Sequence, residues 1–157
     1  MKYSIFFLLL TQTLFANYSL FYAGAKVGEI KTFSTIKDNY IKIKITSYLL
    51  KKIVKHKYLI YHSDSFSLKN KNSNIKYKKD KYKIILLLKD ALLGKESLKN
   101  KKIIIAENKY LEVNKKKDYE FFYYKNNKIK TYGDFAIKNK QLDFLEAKSH
   151  HIKIKRN

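Results

Sequence analysis

The sequence contains no cysteine, no proline and no tryptophan, and only one arginine, Arg156. Without Cys there are no disulfides, no thiolate metal ligands, no thiol nucleophile and no lipoprotein attachment. Nothing staples the chain, so apolar packing has to supply its stability. Without Pro, strand edges lose one of their usual guards, and lysine is left to take that part. The four glycines, Gly24, Gly28, Gly94 and Gly133, make no phosphate-cradling loop pattern. Acidic residues are also scarce, 13 against 35 basic ones, for a net charge of +22.

That charge has two readings. Clustered lysine raises the potential felt by phosphates, which points to a polyanion partner. Alternatively, abundant Lys, Asn, Ile and Tyr reflect coding DNA rich in A and T. The second is favoured, because phosphate- and base-reading sites recruit Arg for its planar fork, and Lys is spread over the whole chain. Specific nucleic-acid binding is therefore not expected. A general attraction to an anionic membrane surface is compatible with the composition.

The only long apolar run lies at the start. Met1-Lys2 gives a short positive region, Tyr3 to Leu10 is apolar, and Leu14-Phe15-Ala16 offers a small residue at a cut site. Residues 1–16 read as a signal peptide, with a retained N-terminal anchor as the other reading. The run is shorter than the roughly 20 residues that span a bilayer. The expected location is the periplasm, or secretion after cleavage. Residues 17–157 amount to about one domain.

Within that domain the strongest periodic signal is Tyr40 to Thr46. Ile41, Ile43 and Ile45 point one way and Lys42 and Lys44 the other, as in a half-buried antiparallel strand. Tyr18 to Tyr22 is a first strand, turned near Ala23 to Lys26 by Gly24, with Gly28 either turning or admitting a close strand. Lys31 to Ile36 continues the second strand. Ser47 caps a short helix over Leu49 to Val54. Ile75 to Lys79 and Lys81 to Leu88 form a hairpin about Lys79-Asp80-Lys81, unless Ile84 to Leu88, apolar on both faces, runs into a helix. Later strands cover Lys102 to Ala106, Tyr110 to Val113, Tyr119 to Tyr124 and Lys128 to Tyr132. After a Gly133-Asp134 turn come Phe135 to Ile137, Leu142 to Ala147 and Ile152 to Lys155. The pattern predicts a mainly β domain, a curved antiparallel sheet or half-barrel of about ten strands with one or two short helices.

The opening Tyr18-Ser19-Leu20-Phe21-Tyr22-Ala23-Gly24-Ala25-Lys26-Val27-Gly28-Glu29 resembles that of a bacterial family of exported proteins of unknown function. Thr46-Ser47, Leu49-Leu50 and Tyr61 to Asp64 look like its following features. The family's C-terminal Trp and Pro have no counterpart here. The resemblance implies a curved sheet with a short helix against it, similar to the half-barrels of the lipoprotein carriers LolA and LolB. It implies no activity.

Candidate chemistry is thin. His62-Ser63-Asp64 holds the right residue types for nucleophilic catalysis, but on a strand Ser63 points away from the other two. Four scattered His residues, with His150-His151 adjacent, do not make the ligand set of a structural zinc. The pairs Asp118/Glu120 and Asp143/Glu146 are solvated partners for lysine. No catalytic residue, metal or cofactor is expected. The notable feature is aromatic content, 14 Tyr and 10 Phe. Phe121-Phe122-Tyr123-Tyr124 places two aromatics on each face of one strand. One face could line an apolar groove with Lys at its mouth, built from Phe21, Tyr22, Ile43, Leu59, Phe121 and Tyr123. The leading expectation is non-enzymatic binding or carriage of a lipid or other hydrophobic, anionic envelope component. The alternative is a structural or protein-interaction module, its protein partner unknown. A continuous internal cavity favours the first, and a filled core with an exposed apolar edge favours the second.

Overall fold

The computed structural model describes residues 17–67, 72–94, 98 and 100–157. The expected signal peptide and part of the polar loop after Ser67 lie outside them. Five strands lead outward: β1 (Tyr18–Tyr22), β2 (Ala25–Ile30), β3 (Tyr40–Ile45), β4 (Tyr58–His62) and β5 (Ile75–Lys79). Helix α1 (Tyr48–Val54) joins β3 to β4, and α2 (Ile84–Leu93) follows β5. Six more strands return: β6 (Lys101–Ala106), β7 (Lys109–Lys115), β8 (Tyr119–Lys125), β9 (Lys128–Lys138), β10 (Gln141–Ala147) and β11 (Ile152–Arg156).

The eleven strands of the described residues belong to one open sheet in the order β5-β4-β3-β2-β1-β11-β10-β9-β8-β7-β6. The chain starts at the middle, steps to one edge, crosses to the other edge through α2 and returns by meander. That path requires curvature. From β4 to β8 is seven steps, about 34 Å across a flat sheet. Yet Tyr61 on β4 donates to Asp80 at 2.8 Å, while the ring of Tyr82, two residues on, lies 5.7 Å from that of Tyr123 on β8. The sheet curls around the segment that carries α2.

Alternation assigns the two faces. The concave face carries Tyr18, Ile30, Ile41, Ile43, Leu111, Val113, Phe121, Tyr123, Phe135, Leu145 and Ile154 in one core cluster. Ile85, Leu87 and Leu88 of α2 join it and are completely buried, and Phe33 and Ile36, at the start of and within the 3-10 helix Ser34–Asp38, are buried there too. Burying each such side chain contributes about 1.5–3 kcal/mol. The convex face carries Lys42, Lys44, Lys153 and Lys155, together with Phe21, Phe144, Phe122 and Tyr124. Tyr124 stacks on Tyr110 at 4.5 Å, with Lys102 over the Tyr110 ring.

The mainly β class and the half-barrel hold, with three local corrections. β2 stops at Ile30, and the expected extension becomes the 3-10 helix, which turns Phe33 and Ile36 inward and ends at Asn39 with φ 66°. The hairpin about Asp80 does not form. β5 instead pairs parallel with β4, so the sheet is not wholly antiparallel. Of the two readings of Ile84 to Leu88, the helix is the one that forms, in keeping with the helix propensity of its Leu-rich run. Finally, Gly133 is no turn; β9 runs through it. It pairs with Ala147 and Phe121, and a Cβ there would collide with the Glu146 carbonyl.

Candidate functional site

Two places concentrate features that a binding function needs: the concave face with its rim, and the exposed side of α1. On the concave face, Asp80 organises the segment that fills it. Its carboxylate is fully buried and accepts from the Tyr61 hydroxyl (2.8 Å), the Tyr82 amide (3.2 Å) and the Ile85 amide (2.7 Å). The last of these is a free donor in the first turn of α2, so Asp80 caps the helix from upstream and places a negative charge at the positive end of its dipole. Burial first, and the Asp80 charge second, raise the Tyr61 phenol well above its ordinary value. Tyr82 also stacks on His150 at 4.7 Å, and His150 Nε2 lies 2.9 Å from the Oγ1 of the buried Thr131. These polar groups are partnered to one another and pin α2 into the sheet.

The expected groove residues separate. Ile43, Phe121 and Tyr123 are buried in the concave core and Leu59 packs against it, all on the face occupied by α2. Phe21 lies on the convex face, opposite Lys153. There it lines a cavity of about 350 Å³ with Ala23, Gly24, Glu146, His151, Lys153 and Lys155. Tyr22, at the strand end, is 55% exposed. The six residues therefore do not line one groove. Gly24 sits in the β1–β2 turn with φ 82°, beside Ala23 with φ 48°. Gly28 lies within β2, where a Cβ would press on the Lys44 carbonyl at 2.9 Å.

A second cavity, about 320 Å³, opens at the rim between the 3-10 helix and the C-terminal end of α2. Tyr18, Phe33, Ile36, Leu92 and Leu93 give it apolar walls, and Lys37 and Lys140 stand among its polar lining. No single sequence motif announces this cleft, since its residues come from four separated stretches.

α1 presents the other candidate. Ser47 Oγ accepts from the Leu50 amide at 3.4 Å, and Lys55, with φ 55°, closes the helix by donating to the Lys51 carbonyl at 2.9 Å. Leu50 and Val54, one helical turn apart, are half-buried. Tyr48, Leu49 and Ile53 are 69%, 71% and 76% exposed on the opposite side.

The remaining chemistry-bearing residues are engaged elsewhere. Asp64 pairs with Lys79 and Lys83, both at 2.7 Å, while His62 Nδ1 lies 2.9 Å from the Ser63 carbonyl oxygen. His56 Nδ1 meets the Ser73 carbonyl oxygen at 2.8 Å. Asp143 pairs with Lys138 and Arg156, and the hydrogen bond from Lys138 holds its carboxyl below the usual range. Glu120 pairs with Lys116, and Glu146 with Lys153. Among the described residues, no group of three or more His, Asp or Glu could hold a metal ion. Nor, among them, is any helix long and apolar enough to cross a membrane. Comparison of the chain with protein-family models, with curated proteins and with solved structures finds no match.

Proposed function

We propose that this chain is a non-enzymatic binding module of the bacterial cell envelope that acts through its outer surface. The observation that carries the reading is the complete burial of Ile85, Leu87 and Leu88 of α2 against the concave face. In a carrier that face would hold the acyl chain; here the chain's own helix takes the space. Apolar side chains left outside, on α1 and at Ile104, Ile129 and Tyr132, are available to a partner. The export-like start and the resemblance of the opening stretch to exported proteins support the location.

Titration with a fluorescent fatty acid tests this. The expected result is no saturable one-to-one uptake, and stoichiometric uptake into the interior would overturn it. A second reading has its own observation, the rim cleft with its apolar walls and two lysines. It assigns the cleft to a hydrophobic anionic ligand. One-to-one uptake that disappears in Leu93→Lys, a substitution at a 42% exposed position, would establish that reading instead.

A further inference from the structure

We propose that α1 is a membrane-docking finger that seats Tyr48, Leu49 and Ile53 in the headgroup region of an anionic bilayer. The inference rests on the surface-acting reading above and names its partner.

The exposure of these side chains is built into the fold. Leu50 and Val54 form the half-buried side of α1. Its start is tied to the sheet by the Thr46 and Ser47 amides, which both donate to the Val27 carbonyl at 3.0 and 3.3 Å. Its end is fixed by the left-handed Lys55. Helical spacing then leaves Tyr48, Leu49, Lys52 and Ile53 on one outward strip. A seven-residue helix held at both ends cannot turn this strip inward.

Charge selects the occupant. Between Asp38 and Asp64 the chain has six lysines, Lys42, Lys44, Lys51, Lys52, Lys55 and Lys57, and no carboxylate. Lys51 and Lys55 stand along one border of the apolar strip, and Lys52 lies over the Tyr48 ring, 4.7 Å from its centroid. Its stem can lie along the apolar surface with the ammonium turned to a headgroup. Each lysine near an anionic leaflet contributes about 1 kcal/mol, and few apolar side chains or few charges alone would anchor weakly; together they reinforce one another. A second copy of this chain is disfavoured as the occupant, because two molecules of charge +22 repel.

The sequence has no Trp, so Leu49→Trp supplies a single reporter. With vesicles of phosphatidylglycerol in phosphatidylcholine, its emission should shift to the blue; with phosphatidylcholine alone it should not. Ile104→Trp, at an exposed position on β6, should stay unshifted in both. The double variant Leu49→Ser/Ile53→Ser should bind phosphatidylglycerol vesicles at least about tenfold more weakly in co-sedimentation. Its thermal unfolding should be unchanged, since it removes no buried side chain. An unshifted Leu49→Trp, equal binding by the double variant, or a lipid-independent dimer that the double variant abolishes would overturn the proposal. Those results would leave the surface-acting reading standing, whereas fatty-acid uptake into the interior would remove that reading by itself.

Discussion

With Asp80 replaced by Ala, three donors lose their acceptor at once: the Tyr61 hydroxyl and the amides of Tyr82 and Ile85. Hydrogen bonds to a charged group contribute about 1.5–3 kcal/mol each, not additively. Asp80→Ala should therefore cost about 3–5 kcal/mol in urea unfolding, and a loss below about 1 kcal/mol would refute the pinning role. Tyr61→Phe, which leaves Asp80 two amide partners, should cost about 1–2 kcal/mol. It should also change the alkaline limb. The Tyr61 phenol ionises at higher pH folded than unfolded, so its contribution is fully present below the unfolded value, about 10. It is lost as pH rises from there toward the folded value. Stability between pH 9 and 11 should therefore fall less steeply in Tyr61→Phe than in the parent, and parallel curves would contradict the assignment. Gly133→Ala makes a different demand. The obstacle to its Cβ is backbone, the Glu146 carbonyl, and backbone cannot rotate away. It should cost more than about 3 kcal/mol or prevent folding, whereas Gly28→Ala, meeting Lys44 and Ile43 at 2.9–3.0 Å, should cost less.

The elements that could be read from the sequence are those whose pattern is settled locally. Ile41, Ile43 and Ile45 alternate with Lys42 and Lys44, and β3 has that burial. Ser47 caps α1, and Asn126-Asn127 turns β8 into β9 with φ of 52° and 56°, the sign a two-residue hairpin turn needs. Three elements depended on distant neighbours and were not legible. Nothing near Gly133 says that Glu146 will press on it, so its glycine reads as a turn. Lys79-Asp80-Lys81 has turn composition; only its relation to the Leu-rich run three residues on, a charge ahead of a helix start, could have signalled a cap. The aromatic strand β8 offers either a core or a groove by its sequence, and α2, whose first half reads equally as strand or helix, decides between them. Leu88→Ala tests that element. It removes a fully buried side chain where α2 meets the sheet, and should cost about 2–5 kcal/mol and leave a cavity. Gain of fatty-acid uptake by this variant and not by the parent would show that α2 is what closes the concave face.

At the scale of the whole molecule, the order of the strands gives the architecture its logic. β1 and β11 lie side by side at the middle of the sheet, and the two halves grow outward from them to edges that α2 connects. A sheet with one apolar face must cover it, and this chain does so with its own crossover helix and the 3-10 helix of Ser34–Asp38. The consequence is a half-barrel with a filled interior, a lysine-rich convex face and an apolar finger at α1. These features are what the proposal of contact with a surface, and not transport of a guest, rests on. Mass spectrometry of the protein, purified gently from the cells that produce it and followed by organic extraction, tests this most directly. The expected result is the mass of the protein alone, with no lipid present in stoichiometric amount after washing. One lipid per chain, surviving the wash, would contradict it and return the molecule to the carriers.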